Sequence, residues 1–158
     1  MTYDVLLWLF VIVSGIAVGA GLYEMRVNVP RWFSAADGTA IRVNAAAIQS
    51  DDSGRRFWGF VTTVPLTLLT LASCVAAWSP ETARARWWLA AAGVLLVERV
   101  ATFGYFIPQL LTITRPGSLS AEKAAQTALA WTRLNYLRVA LGFAGWLAAL
   151  KALSLSAV

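Results

Sequence analysis

Apolar residues in this chain come in four long blocks, roughly 5–25, 57–78, 87–111 and 128–150, separated by polar or proline-containing stretches. A membrane-crossing helix needs about 20 mainly apolar residues, a length each block meets. The pattern predicts an all-α integral membrane protein with helices over about 4–28, 57–78, 86–111 and 121–151 and a polar connector over 31–56. Four spans joined by two short turns and that connector read as one antiparallel four-helix bundle filling residues 1–158. Little sequence remains for a separate catalytic domain, so function is expected within or beside the bilayer.

The edges of the blocks carry their own signals. The first block has Asp4 and no Lys or Arg before its apolar run, and is read as a retained helix rather than a signal peptide. Gly15 and Gly19, with Ala17 and Gly21, form small-x-x-x-small pairs that predict close helix packing. Pro30 is expected to end the first helix near Asn28, with Trp32 and Phe33 at the interface, and Pro108 to break the third. Asp37-Gly38, Asp51-Asp52-Ser53-Gly54 and Ser79-Pro80 signal turns, and residues 41–48 suggest a short amphipathic helix. Ser118 or Ser120 can cap the last helix.

Charge inside the apolar blocks is the most informative departure from this pattern. Glu24, Glu98, Arg99 and Arg138 fall within predicted spans. A charged side chain at mid-membrane costs about 2.5 to 3.5 kcal/mol on insertion scales, so each must face an interior and find a partner. With each helical residue turned by about 100°, Glu98, Thr102, Tyr105 and Gln109 share one stripe, Trp131, Asn135 and Arg138 another, and Glu24, Asn28 and Arg31 a third. In an antiparallel bundle all three stripes fall in the half nearest the long connector.

A buried Glu98–Arg138 ion pair is expected. Arg99, about 100° round the helix from Glu98, is expected to reach another carboxylate or the interface. Thr63, Thr67, Thr70 and Cys74 form a milder stripe; their hydroxyls can bond back to their own helix, although Thr63 is a candidate lining residue. Such groups can simply hold helices in register. A register device needs one or two polar residues, whereas this set offers acid, guanidinium, phenol, amide and indole, and so favours a cavity. Glu98, Glu24, Arg138, Asn135 and Tyr105 are the candidate catalytic groups, with Asn28, Thr102, Gln109, Trp131 and Thr63 as candidate substrate contacts. Arg133 points away from Trp131 and is left outside.

Composition narrows the chemistry. The chain has 158 residues, 59% hydrophobic and 13% charged, with no histidine and one cysteine, Cys74. Haem on a histidine, histidine-bound copper or iron, a serine–histidine triad, disulfides and thiolate clusters are therefore excluded; a carboxylate-bound metal would have few ligands to draw on, and neither metal nor cofactor is expected. The formal charge of +5 is scattered and predicts no nucleic-acid partner. Seven Lys and Arg lie in the segments joining helices one to two and three to four, against three on the opposite side (Arg84, Arg86 and Lys151), which orients those two segments toward the cytoplasm. The expected partners are the lipid bilayer and a lipophilic small molecule; the sequence does not separate a monomer from a homo-oligomer.

Three short motifs then carry a resemblance: Trp131-Thr-Arg-Leu-Asn135-Tyr-Leu-Arg138, Gly104-Tyr-Phe-Ile-Pro108 and Val29-Pro30-Arg31-Trp32. With them, most of the chain resembles the anthrone-oxygenase-like family of small four-span membrane proteins, most of whose members have no established activity. The resemblance implies oxidation of an anthrone to an anthraquinone without metal or flavin. Some relatives carry a histidine that this chain lacks. On that scheme Glu98 or Glu24 would take the methylene proton, and Arg138, Asn135 and Tyr105 would stabilise the oxyanion. The same residues also suit oxygen-independent cyclisation, isomerisation or epoxide opening on a polyketide- or terpenoid-like substrate. A non-catalytic subunit or small transporter is the reading from another class.

Overall fold

The computed structural model describes residues 2–35, 41–51, 54–78 and 81–155. Four helices are long and apolar enough to cross a membrane: Tyr3–Trp32, Arg56–Ala76, Ala83–Thr114 and Ala121–Ser154. The first combines α1 (Thr2–Tyr23), a π-helical turn (Glu24–Asn28) and α2 (Val29–Trp32). After it come the strands β1 (Phe33–Ala35) and β2 (Ile41–Val43) and the short helix α3 (Ala45–Ser50). The second joins a π-helical segment (Gly54–Thr63) to α4 (Val64–Ala76). The third runs through α5 (Ala83–Ala101), a π-helical turn (Thr102–Phe106) and α6 (Ile107–Thr114), and the fourth is α7 (Ala121–Ser154).

Prolines at 30, 65 and 108 explain the π turns. A proline inside a helix lacks a donor and its ring crowds the carbonyl four residues back. Widening the preceding turn relieves that crowding, and each π segment here is followed by an α segment with proline in its first turn. The wide turns are visible in backbone bonds from Val29 N–H to the Glu24 carbonyl and from Ile107 N–H to the Thr102 carbonyl, each spanning five residues. Pro30 and Pro108 therefore do not end their helices as the sequence suggested; the chain stays helical to Trp32 and Thr114.

The long helices pack in cyclic order, α5 on α7, α7 on α1, α1 on α4 and α4 on α5. One half of the assembly is solid: Leu7, Phe10, Leu66, Trp88, Ala91, Leu95, Ala149 and Ala152 form a continuous buried cluster. Gly145 permits that packing, since a Cβ there would stand 2.8 Å from Leu95 Cγ. Gly15 faces Trp146, where a Cβ would come within 2.9 Å of Nε1, but Gly19 meets nothing within 4 Å, so only part of the small-residue pattern is used.

The other half packs around Met25, Val29, Trp32, Phe33, Phe106 and Trp131. Here β1 and β2 form an antiparallel hairpin with Phe33 opposite Val43, an element the sequence did not suggest. The short connector helix starts at Ala45, later than expected, with Asn44 capping it by accepting from Ala47 N–H at 3.0 Å. Thr82 and Ser120 cap α5 and α7. The expected turns at Asp37-Gly38, Asp52-Ser53 and Ser79-Pro80 lie outside the described residues.

Candidate functional site

Glu98 and Arg99 are neighbours in sequence, and their side chains start about 100° apart on α5. The long arginine nevertheless folds back: its Nε donates to Glu98 Oε2 at 2.7 Å, and its Nη2 donates to the same oxygen. The expectation that Arg99 would reach a different carboxylate or the interface is thereby corrected, since stem flexibility overrides angular spacing. The other carboxylate oxygen accepts from Arg138 Nη1 at 3.4 Å and Thr102 Oγ1 at 3.3 Å. Arg138 Nε donates to Asn135 Oδ1 at 2.7 Å, and Asn135 Nδ2 donates to the Met25 sulfur. Glu98 is 5% exposed and Asn135 0%. This chain of bonds links the third, fourth and first long helices.

Glu24 is held differently. It opens the π turn of the first long helix, is 6% exposed, and has Arg138 Nη2 as its nearest cation among the described residues at 4.0 Å, too far for a hydrogen bond. One guanidinium thus stands between two carboxylates, with a long 3.4 Å hydrogen bond to Glu98 and none to Glu24. Arg138 also lies over the Phe106 ring, its Cζ 5.1 Å from the centroid, a cation–π contact.

Beside this cluster is a cavity of about 460 Å³, within the range of small-molecule sites. Its charged and polar wall includes Glu24, Arg99, Arg138, Thr102 and Thr63; Trp32, Trp58, Phe106, Trp131 and four aliphatic side chains supply the apolar wall. Trp131 is fixed by an Nε1–H bond to the Phe106 carbonyl at 3.0 Å and by edge-to-face contacts with Trp32, Phe33 and Phe106 at 5.7–6.3 Å. The connector supplies Ile48, Gln49 and Asp51, and Gln49 Nε2 donates to the Thr114 carbonyl at 3.0 Å, tying α3 to the end of the third long helix. A second space of about 30 Å³ lies across Trp58, Arg99 and Arg138, and Glu98 borders it.

Of the residues singled out in the sequence, Glu24, Arg138, Thr102, Trp131 and Thr63 line the larger cavity. Glu98 stands behind its arginine partners and borders the small space instead. Asn135 is fully buried and reaches the cavity only through Arg138. Tyr105, Gln109 and Asn28 are half-buried and do not line it. The cause is the phase shift of the π turns. Each wide turn adds a residue to the helical repeat, so the stripe from Glu98 and Thr102 continues to Phe106 and Leu110 rather than Tyr105 and Gln109. On the first helix it continues from Glu24 to Trp32 rather than to Asn28 and Arg31. On α7, with no π turn, Trp131, Asn135 and Arg138 remain together.

Sequence reasoning missed Trp58, Gln49, Asp51 and the cavity-facing position of Arg99. Trp58 stands at the start of an apolar block, where a tryptophan reads as an interface anchor, and the connector residues read as a polar linker; only the prolines hinted at the displaced stripes. Thr67 and Thr70 donate to the Thr63 and Leu66 carbonyls at 2.6 Å, as expected of threonines in apolar helices. Among the described residues, no three His, Cys, Asp or Glu side chains gather as a metal site. The arrangement suits binding an apolar molecule with one polar end against a carboxylate and two guanidinia. Compared with protein-family models, curated proteins and solved structures, the chain finds no match.

Proposed function

We propose that the four long helices cross a membrane as an antiparallel bundle and that the cavity performs cofactor-free acid–base chemistry on a lipophilic polyketide- or terpenoid-like molecule. Insertion is supported by the outward side chains: Leu68, Val75, Val97, Val100 and Leu137 are each more than half exposed, an apolar surface that calls for lipid. The observation that carries the chemistry is Glu24, a buried carboxylate on the wall of the 460 Å³ cavity with no hydrogen bond among the described residues. A carboxylate free of donors can take and return a proton, whereas Glu98 is held by Arg99, Arg138 and Thr102. Glu24 is therefore the base, Glu98 holds the arginines in place, and Arg138 and Arg99 stabilise the anion that forms. A pocket is favoured over a transport path because the other half of the assembly is filled by the Leu7, Phe10, Leu66 and Leu95 cluster.

Anthrone-type oxygenation is the first reaction to test. Glu24 removes a methylene proton, the delocalised carbanion reacts with dioxygen, and the methylene carbon becomes a carbonyl as the second oxygen atom leaves in water. Detergent-purified protein given anthrone should consume oxygen and form quinone, and Glu24→Gln should lower turnover by about 10²- to 10⁴-fold. Unchanged turnover in that variant contradicts the assignment. Substrate conversion without oxygen uptake moves the chemistry to cyclisation or isomerisation at the same base.

A further inference from the structure

The two guanidinia on the cavity wall are only partly used. An arginine carries five N–H donors. Arg99 directs Nε and Nη2 to Glu98, leaving Nη1 without a protein acceptor among the described residues. Arg138 directs Nε to Asn135 and Nη1 to Glu98, and its Nη2 lies 4.0 Å from Glu24. Both arginines grip the two oxygens of one carboxylate, so their remaining donors belong to one small region, and both residues line the cavity. Buried charges are stable when paired and hydrogen-bonded. Glu98 balances the charge of one guanidinium, and the second has its other carboxylate, Glu24, 4.0 Å away on the cavity wall.

Among the described residues, the charges that share the cavity wall with Glu24 are Arg138 from α7, Arg99 from α5 and Asp51 from the connector, with Glu98 behind the two arginines; the second long helix lends the neutral Trp58, Gly59 and Thr63 to that wall. Asp51 is half-buried on the connector and has a partner of its own, whereas Glu24, Glu98, Arg99 and Arg138, all within the long helices, together sum to zero. An added anion would leave this buried group one negative charge in excess unless a carboxylate were neutralised. Of these carboxylates, Glu24 is the one with no hydrogen bond to lose among the described residues.

Resting on the reading of the cavity as a small-molecule site, we propose that its ligand is a lipophilic molecule with an acidic O–H, a phenol or stabilised enol, bound as its anion across Arg99 and Arg138 with its proton on Glu24. The bookkeeping closes within the site. The ligand O–H bond breaks, an O–H bond forms on Glu24, no electron is transferred and the net charge stays at zero. Such a molecule reaches the cavity from the bilayer in its neutral form, and the charge separates only where two guanidinia receive it.

The test uses 2-naphthol with the full chain in detergent, at mildly alkaline pH where the free probe is still protonated in water. Bound to the wild type, it should absorb as the naphtholate and release no proton to solvent. 2-Methoxynaphthalene, which has no proton to give, should bind at least about tenfold more weakly, because it forgoes a charge-assisted hydrogen bond. Glu24→Gln should still bind the naphtholate but release about one proton per ligand into the buffer. A neutral-naphthol spectrum in the bound wild type, or equal proton release by wild type and variant, overturns the proposal and leaves the cavity reading standing. Failure of both probes to bind the folded wild type overturns the cavity reading, and this inference with it.

Discussion

Replacing each buried glutamate by glutamine should have unequal effects on stability. Glu98 accepts two bonds from Arg99 and one each from Arg138 and Thr102, all near or within the buried cluster. Glutamine keeps one acceptor oxygen but removes the charge and sets an amide against guanidinium donors. Deleting one partner of a buried ion pair costs about 3–5 kcal/mol in soluble proteins, while polar contacts between membrane helices average about 0.6 kcal/mol. An acceptor-retaining change at a doubly bonded pair falls between these limits, at about 2–3 kcal/mol, or roughly 30- to 150-fold in the unfolding equilibrium. Among the described residues Glu24 has no hydrogen bond and its nearest cation is 4.0 Å away, so Glu24→Gln should cost under about 1 kcal/mol. Reversible unfolding in mixed micelles with increasing dodecyl sulfate measures both. The reasoning is refuted if Glu24→Gln destabilises the protein as much as Glu98→Gln.

Other parts of the structure give independent expectations. Gly145→Ala should lose about 1–3 kcal/mol, because its Cβ would meet Leu95 Cγ at 2.8 Å, and the double variant with Leu95→Ala should lose less than the sum of the two single losses. Gly19→Ala should be neutral or gain up to about 1 kcal/mol in the same unfolding assay, since nothing stands within 4 Å. Trp131→Phe should lower stability by about 1–3 kcal/mol by leaving the Phe106 carbonyl without its 3.0 Å donor, and should weaken binding of an aromatic probe. Gln49→Ala removes the tie between α3 and the Thr114 carbonyl; stopped-flow measurement should show faster probe release with less than about 1.5 kcal/mol change in stability.

The broad outline was legible because the apolar blocks are long and their interruptions few: four helices fit a membrane's thickness, as the sequence pattern indicated. Thr102, Trp131 and Arg138, singled out by helical phase, and Glu24, singled out by the expense of charge in apolar surroundings, all line the cavity. Tyr105, Gln109 and Asn28 were misplaced for one physical reason. Angular spacing assumes an unbroken 3.6-residue repeat, and the π turns ahead of Pro30 and Pro108 add a residue to it. Arg99 was misjudged because a Cβ direction says little about where a long flexible side chain ends. Gln49 and Asp51 reach the cavity through the connector's return over the helix ends, and local pattern does not encode that path.

The most direct measurement is hydrogen–deuterium exchange at the anthrone methylene under anaerobic conditions in deuterated buffer, followed by mass spectrometry. It isolates proton transfer from any later step with oxygen. Exchange well above the buffer rate with the wild type and with Glu98→Gln protein that remains folded, but at the buffer rate with Glu24→Gln, is the result predicted for a base at Glu24 on the cavity wall. Exchange that persists in Glu24→Gln, or is absent from wild type that binds the anthrone, would contradict it.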